Sequence, residues 1–370
     1  MLGSILVFLL VLSILILVHE LGHFLVAKHF GVMVEEFGFG LPPRLFGKKI
    51  GETFYSINAL PFGGFVKLHG ESSDEDLTYP KRSFLKKSKR KKVAIIVAGV
   101  IMNFLLAILA FAITYSFNGI PKNTKDVKVV DISTSSPAQI SGLVIGDIVR
   151  SVNKTSVSTN EEFISIVDQN KGKRVTLEIE RIINSERTIK KITLTPREKP
   201  PEGEGPLGVV ITTTEIYFPP IALRPFYGIY YGFKDAVFWG KNVVGGLIGI
   251  FSSLFKGHAP DDIAGPVGIF ALTSEASKIG IFAVINFIGI LSVNLAILNV
   301  LPFPALDGGR LFFIFLEGVI GKKVLPKIEA AIHTVGMIIL LALLLAVTAH
   351  DIIRLIAGGG ISGFLQGVVK

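Results

Sequence analysis

The sequence contains no cysteine among its 370 residues, and it carries little charge. Without cysteine, a disulfide framework and a thiolate metal site are excluded, so a transition metal must be held by histidine, aspartate or glutamate. Only 18% of the residues are charged and 50% are hydrophobic, with a mean hydropathy of +0.59. This composition excludes an ordinary soluble domain and favours a multi-span membrane protein. The net charge of +9 is explained better by lysine and arginine in cytoplasmic loops than by a nucleic-acid partner.

The first apolar run, residues 2–18, ends in His-Glu-Leu-Gly-His at positions 19–23. On a helix, His19 and His23 project from one face a turn apart, as two zinc ligands must. Glu20 is positioned to take a proton from a metal-bound water. In the structural alternative, the three side chains only bond to one another, but ionisable groups at membrane depth are costly and usually functional. The run lacks a basic start and a small-residue cleavage site, so it predicts a retained first span, not a signal peptide.

Three further uncharged runs predict spans at residues 93–117, 281–306 and 334–349 with a few neighbours. Lysines and arginines crowd residues 81–92, which predicts that this loop is cytoplasmic and the N-terminus outside. Residues 225–256 are apolar but interrupted by charges, so we expect an interfacial amphipathic helix there.

Shorter segments between the spans carry weaker patterns. Residues 53–68 indicate short β-hairpin material near a membrane surface, with an ordinary loop as the alternative. Asp261 and Asp262 are interpreted as part of a solvated turn, and Lys322 and Lys323 suit a cytoplasmic exit from the third span. The glycine-rich tail after Arg354 is too weakly patterned to predict a span.

The third span predicts the remaining metal ligand. Pro302 and Pro304 break its helix, and such a break is tolerated in a membrane only where it lines a buried or wet cavity. Asp307 follows the break. Since the first and third spans both run from outside to inside, the topology brings Asp307 to the level of His19 and His23. A catalytic zinc normally takes three protein ligands and leaves one position for water.

Other ligand candidates have weaker support. Glu36 is the competing third ligand, but it lies in the loop after the first span. His333 and His350 flank the fourth span and are interpreted as interfacial. His69 and His258 sit in connecting segments without a metal-site pattern.

Residues 122–198 read as a soluble module. Apolar alternation predicts strands at 127–132, 174–180 and 189–195, and helical spacing predicts a helix at 161–170. Within the module, Ser-Pro-Ala at 136–138, Ser-Gly-Leu at 141–143 and residues 146–153 resemble a PDZ domain of bacterial envelope proteases. PDZ domains bind extended peptides by adding a strand to a sheet edge. The alternative is a β-rich spacer or steric filter. A Pro/Gly-rich linker at 200–206 ends the module.

The metal motif at 19–23, the module after the second span and residues 299–308 together resemble the site-2 protease family of intramembrane zinc metalloproteases. The resemblance covers essentially the whole chain and is strongest to bacterial enzymes of regulated intramembrane proteolysis, such as the regulator of sigma-E protease. Better-known members carry two PDZ domains, whereas this chain has room for one.

The resemblance implies roles for individual residues. It implies that Glu20 is the catalytic base, that Asp307 is the third ligand of a Zn²⁺ cofactor, and that Asn299, with Pro302 and Pro304, helps to hold the substrate backbone. The region around Gly63 and Gly64 resembles the family's membrane-associated β-loop, which is thought to hold the substrate extended.

We therefore expect a multi-span α-helical membrane protein of about four transmembrane helices, with a membrane-associated β-hairpin region and an inserted extracytoplasmic α+β PDZ domain. The expected divisions are an N-terminal membrane region at 1–117, the PDZ domain at 122–198, a linker with the interfacial helix at 199–280 and a C-terminal membrane region at 281–370. The expected location is the bacterial cytoplasmic membrane.

The expected function is zinc-dependent cleavage of transmembrane segments, as in anti-sigma factors or signal-peptide remnants. Expected partners are such membrane proteins, peptides or C-termini on the PDZ domain, and the lipid bilayer, with no nucleic acid. One alternative is a PDZ membrane scaffold with a structural metal site, although such sites are usually closed by four protein ligands. The other is a metal transporter, which predicts more carboxylates within the spans than this sequence contains.

Overall fold

The computed structural model describes residues 2–71, 78–183, 186–201, 203–256, 264–321 and 326–357. His258, the turn predicted at residues 261–262, Lys322, Lys323 and the tail beyond Ala357 lie outside the described residues. The chain divides into two compact units: Met1–Asn118 with Pro220–Lys370, and Gly119–Pro219.

Within the described residues, the first unit contains seven α-helices and a β-hairpin. Its elements in chain order are α1 (Leu2–His29), β1 (Val34–Ile50), β2 (Thr53–Leu68), α2 (Lys89–Asn118), α5 (Arg224–Phe255), α6 (Pro266–Ile279), α7 (Ile281–Val300), α8 (Asp307–Ile320) and α9 (Pro326–Ala357). Two of these helices, α6 and α8, were not predicted from the sequence.

Four helices are long and apolar enough to cross a membrane: α1, α2, α7 and residues Ile328–Ala357 of α9. Each predicted span falls on one of them, so the expectation of about four spanning helices with a β region is confirmed. The third span is shorter than predicted, because its helix ends at Val300 and a new helix begins at Asp307. The predicted amphipathic segment is one continuous helix, α5.

Helices α1 and α2 pack closely at a small residue. A side chain at Gly22 would put its Cβ only 2.4 Å from the carbonyl oxygen of Ala98. Small residues at a crossing let two backbones approach without an apolar driving force from the lipid. Because Gly22 belongs to residues 19–23, this crossing places α2 against the site described below.

Strands β1 and β2 form a curled hairpin. Residues Val34–Phe39 of β1 pair with Gly64–Leu68 of β2, and the turn end pairs Arg44–Ile50 with Thr53–Asn58. Glu36–Phe39 also contacts Phe54–Ile57, so the start of β1 lies between two parts of β2. No other strand of the described chain joins this sheet, and Gly64–Leu68 therefore forms one of its edges.

Helix α6 is tied to α9 through a buried carboxylate. Asp351 of α9 is fully buried, and its Oδ2 accepts a hydrogen bond from the N–H of Gly268 at 2.9 Å. Free N–H groups in the first turn of a helix attract a carboxylate, which stabilises the helix start. The contact gives the buried Asp351 carboxylate a hydrogen-bond donor at the start of α6.

The second unit, Gly119–Pro219, is a six-stranded sheet with two short helices. Its elements are β3 (Ile120–Ile132), α3 (Pro137–Ile140), β4 (Ile148–Val152), β5 (Thr155–Ser156), α4 (Asn160–Gln169), β6 (Val175–Ile183), β7 (Glu186–Leu194) and β8 (Val209–Tyr217). The strand order is β7-β6-β4-β3-β8, and β5 pairs with β4. Buried Val127, Val149, Leu177 and Phe163 belong to its core.

The boundaries of this unit differ from the predicted 122–198. The chain continues past residues 200–206 into β8, which pairs antiparallel with β3 from Ile120↔Tyr217 to Ile132↔Val209. The Pro/Gly-rich segment is therefore a connection inside the unit, and the unit ends at Pro219.

Candidate active site

Three potential metal ligands converge where α1 meets the start of α8. His19 Nε2 lies 3.0 Å from Asp307 Oδ2, and His23 Nε2 lies 3.2 Å from the same oxygen and 3.2 Å from His19 Nε2. The side chains are only 9%, 12% and 18% exposed for His19, His23 and Asp307. Among the described residues, no other group of three histidine or acidic side chains is as close together.

The spacing of these atoms fits a zinc ion. In a tetrahedral zinc site with bonds of about 2.0–2.1 Å, neighbouring ligand atoms lie about 3.3 Å apart. The three separations of 3.0–3.2 Å agree with that value within about 0.3 Å. Two imidazole nitrogens and one carboxylate oxygen are also a common donor set for zinc with an open coordination position. His19, His23 and Asp307, which the sequence predicts as metal ligands, are therefore suited to hold a zinc ion.

Helix α2 forms the wall behind the two histidines. His23 Nδ1 lies 2.9 Å from the carbonyl oxygen of Ile95, and His19 Nδ1 lies 3.1 Å from Nδ2 of Asn103. Between them is Gly99, where a Cβ would lie 2.5 Å from His23 Nε2 and 2.7 Å from His19 Cε1. Only glycine leaves room for both rings at this position.

Glu20 lies beside the ligands and lines two cavities. One, of about 390 Å³, is bounded by Glu20, His23 and Asp307 and by Phe65 and Val66 of β2. The other, of about 240 Å³, lies between Glu20, Asp307 and helix α7. A carboxylate that lines two cavities beside three potential metal ligands can exchange protons with a small molecule in either cavity.

The predicted substrate-binding residues occupy different surroundings. Asn299, at the end of α7, is buried and lines the smaller cavity with Glu20. Pro304 lines a separate apolar cavity of about 340 Å³ against α9, and Pro302 lies in the loop between α7 and α8. The structure therefore brings Asn299, but not the two prolines, to a cavity that Glu20 also lines.

The two predicted glycines lie on β2 next to α1. Gly63 packs against the side chain of Ile16, which is one turn before Glu20 on α1. Gly64 pairs with Phe39 at the start of the sheet edge that continues to Leu68. The strand after these glycines reaches the larger cavity through Phe65, Val66 and Leu68.

His333 was interpreted from the sequence as interfacial, yet it also lines the larger cavity. Its Nδ1 accepts a hydrogen bond from the N–H of Ala305 at 2.9 Å, while its buried Nε2 has no protein partner among the described residues. Ala305 has a φ of +78°, a conformation that non-glycine residues rarely adopt. The bond thus supports a strained loop two residues before Asp307, a role that no local sequence pattern indicates.

Arg310 and Glu71 form an ion pair in the wall of the larger cavity. Arg310 is one turn after Asp307 on α8, and Glu71 follows β2. The pair joins the hairpin region to the C-terminal helices, two segments separated by more than half of the sequence.

The competing metal ligands are engaged elsewhere. Glu36 pairs with Arg44 at 3.0 Å, and His69 Nδ1 lies 2.8 Å from a carboxylate oxygen of Glu35. His350 is exposed near the end of α9. None of these side chains belongs to the His19, His23 and Asp307 group.

Comparison with known proteins relates this arrangement to a peptidase family. The model of peptidase family M50 matches residues 7–343. A candidate zinc metalloprotease of Clostridium perfringens is 36% identical over 347 residues, covering 93% of this chain and 97% of the relative. The zinc metalloproteases RasP of Shouchella clausii and Geobacillus kaustophilus are 30% and 29% identical, each covering 95% of this chain and 99% and 98% of their own. The matched region contains all three candidate ligands.

Proposed function

Since this chain belongs to peptidase family M50, the site-2 protease family, and is a zinc metalloprotease of the membrane, we propose that it cleaves peptide bonds within the transmembrane segments of other membrane proteins. The observation that carries the proposal is the location of the candidate site. His19, Glu20 and His23 belong to a helix that is long and apolar enough to span a membrane, and the cavities beside them are bounded by further apolar helices and β2.

The residues proposed to hold a zinc ion are His19, His23 and Asp307, and that ion, when bound, would polarise the scissile carbonyl and lower the pKa of the attacking water. Glu20 accepts the proton of that water and later donates it to the leaving amine. Asn299, beside Glu20 in the smaller cavity, donates a side-chain hydrogen bond to the substrate main chain.

A substrate helix must unwind before its carbonyls are accessible, because an intact helix satisfies them internally. The sheet edge formed by Gly64–Leu68 can hold the unwound strand. This edge lines the larger cavity, and its outer side has no strand partner in the described chain. An extended substrate adds to this edge through main-chain hydrogen bonds. Anti-sigma factors and signal-peptide remnants are substrate classes of this kind.

The orientation proposed is an outside N-terminus, with residues 81–92 in the cytoplasm of a bacterium and the 119–219 unit outside its cytoplasmic membrane. The basic block at the start of α2 supports it. Because the chain has no cysteine, single cysteines introduced at exposed Ser88 and Ser156 give a clean test in intact cells. An impermeant thiol reagent should label the second variant only, and the reverse labelling would overturn the orientation.

The 119–219 unit is proposed to act as a PDZ domain that binds extended peptides or C-termini. Its antiparallel sheet with two short helices supports the proposal, as does the tight connection before β4, where the buried Asp147 accepts the N–H of Val144 at 2.9 Å. Titration of the full chain in detergent with a library of C-terminal peptides tests it. Saturable binding of a subset would support the proposal, and uniform absence of binding would contradict it.

The test of catalysis is Glu20→Gln, assayed in detergent on a model membrane-protein substrate. The variant keeps the size of the side chain but removes the proton acceptor, so cleavage should fall by at least about 10²-fold while zinc binding persists. Glu275→Gln is the matched control. Glu275 forms an ion pair with Lys278 on α6 and lines neither of the two cavities beside Glu20. Full cleavage by the Glu20 variant would refute the assignment.

A membrane scaffold and a metal transporter are the competing functions. A structural zinc site usually has four protein ligands, whereas the described residues supply a group of three. Joint measurement of zinc content and substrate cleavage separates these functions, because a scaffold or transporter could hold zinc without cutting.

A further inference from the structure

A histidine that binds a metal through Nε2 must carry its own proton on Nδ1, and that proton needs an acceptor. His23 meets the requirement through the backbone. Its Nδ1 lies 2.9 Å from the carbonyl oxygen of Ile95, and a carbonyl can only accept. The Nδ1–H of His23 therefore donates, and in the neutral ring this leaves Nε2 with the lone pair that a metal needs.

His19 has a different partner, the carboxamide of Asn103. Asn103 is fully buried in α2, and its Nδ2 lies 3.1 Å from His19 Nδ1. Its Oδ1 has no partner among the described residues. If Nδ2 donated here, neutral His19 would keep its proton on Nε2, where the metal needs a lone pair. The nitrogen and oxygen of a carboxamide exchange positions by a rotation of 180° and are assigned only by their hydrogen bonds.

Asn103 belongs to the same face of α2 as the acceptor of His23. Ile95, Gly99 and Asn103 are four residues apart, so they occupy successive turns of one helix face. Gly99, on the turn between Ile95 and Asn103, leaves room for both imidazole rings. One face of α2 thus contacts both histidines on the side away from Asp307.

We propose that Asn103 is a positioning residue that turns its Oδ1 toward His19, accepts the Nδ1–H proton and so fixes the tautomer in which Nε2 faces the metal. The proposal rests on the proposed zinc site, because it assigns His19 as a ligand. Partners that orient a metal-bound histidine typically contribute about 10- to 100-fold to metal affinity. The acceptor role, rather than the size of the side chain, should determine the effect.

The test compares zinc affinity, by chelator competition, for the purified full chain and its Asn103→Leu and Asn103→Asp variants. Leucine has a similar size but cannot accept, so affinity should fall by about 10- to 100-fold. Aspartate can accept but cannot donate, so affinity should stay within about threefold of the original protein. Asn294→Leu is the matched control, since Asn294 is also in a spanning helix and, among the described residues, its side chain bonds to the carbonyl of Ile290 in its own helix. That variant should bind zinc normally.

Two results would overturn the proposal: normal zinc affinity in the leucine variant, or a loss of tenfold or more in a folded aspartate variant. If the leucine variant does not fold, the aspartate variant decides alone. A His19→Ala variant separates this proposal from the zinc site itself. Normal zinc binding by His19→Ala would refute the site, whereas loss there with normal binding by Asn103→Leu would refute only the role of Asn103.

Discussion

Gly99→Ala should disable the enzyme with little effect on its stability. The added methyl would lie 2.5 Å from His23 Nε2 and 2.7 Å from His19 Cε1, whereas an ordinary contact of this kind is about 3.5 Å. The rings or α2 must therefore move by about 1 Å, a displacement that can cost about 10²-fold in rate. Overpacking costs about 1–3 kcal/mol, but alanine offsets about 1 kcal/mol of it through its better helix propensity.

The assay is cleavage of a model membrane substrate, together with zinc affinity and the thermal unfolding midpoint in the same detergent. Gly246→Ala in α5 is the control, because no heavy atom of the described chain beyond the adjoining backbone of α5 lies within 4 Å of a Cβ there. It should gain the same helix propensity and keep full activity. A Gly99→Ala protein with normal zinc affinity and normal cleavage would refute the close contact between α2 and the two histidines.

Three other predictions concern the framework around the site. Gly22→Ala would place its Cβ 2.4 Å from the backbone oxygen of Ala98. A backbone atom cannot rotate away as a side chain can, so overpacking here should cost about 3 kcal/mol, of which the helix propensity of alanine offsets about 1 kcal/mol. The unfolding midpoint in detergent should therefore fall by an amount equivalent to about 2 kcal/mol, and an unchanged midpoint would contradict the close crossing. Asp147→Ala would leave Arg181 without its buried partner and destabilise the 119–219 unit by about 3 kcal/mol, measured as faster limited proteolysis of that unit; unchanged resistance would argue against the pair. Hydrogen bonds from Arg82 and Lys28 hold the pKa of Glu52 at about 2, below its ordinary 4.5. The stabilisation from these bonds is therefore present above pH 4.5 and lost as the pH falls toward 2. Glu52→Gln should flatten the fall of the unfolding midpoint on the acid side, measured in a melting series against pH, and an unchanged fall would contradict this role.

The main elements of the membrane unit follow from the sequence because their causes are local. Long uncharged runs determine which helices can span a membrane, and the four-residue spacing of His19 and His23 determines that they share a helix face. Even the approach of Asp307 could be anticipated, because alternating span directions and the break after Val300 restrict its depth. The structure brings these three side chains together, and their role as zinc ligands stays a prediction.

Other features depend on contacts that the sequence does not encode locally. Gly99 and Asn103 look like ordinary members of an apolar span, and their importance depends on how α2 is rotated against α1. His333 lines the larger cavity and accepts the N–H of Ala305, a contact between segments about 28 residues apart that no local pattern indicates. Strand β8 joins the 119–219 unit by pairing with β3, about 90 residues earlier in the chain.

The most direct test of the account is to map the cleaved bond by mass spectrometry, using zinc-loaded protein and a membrane-protein substrate reconstituted in lipid. The account predicts fragments that end within the hydrophobic segment of the substrate and that are absent when Glu20 is replaced by glutamine. Cleavage only outside that segment, or unchanged cleavage by the Glu20→Gln variant, would contradict it.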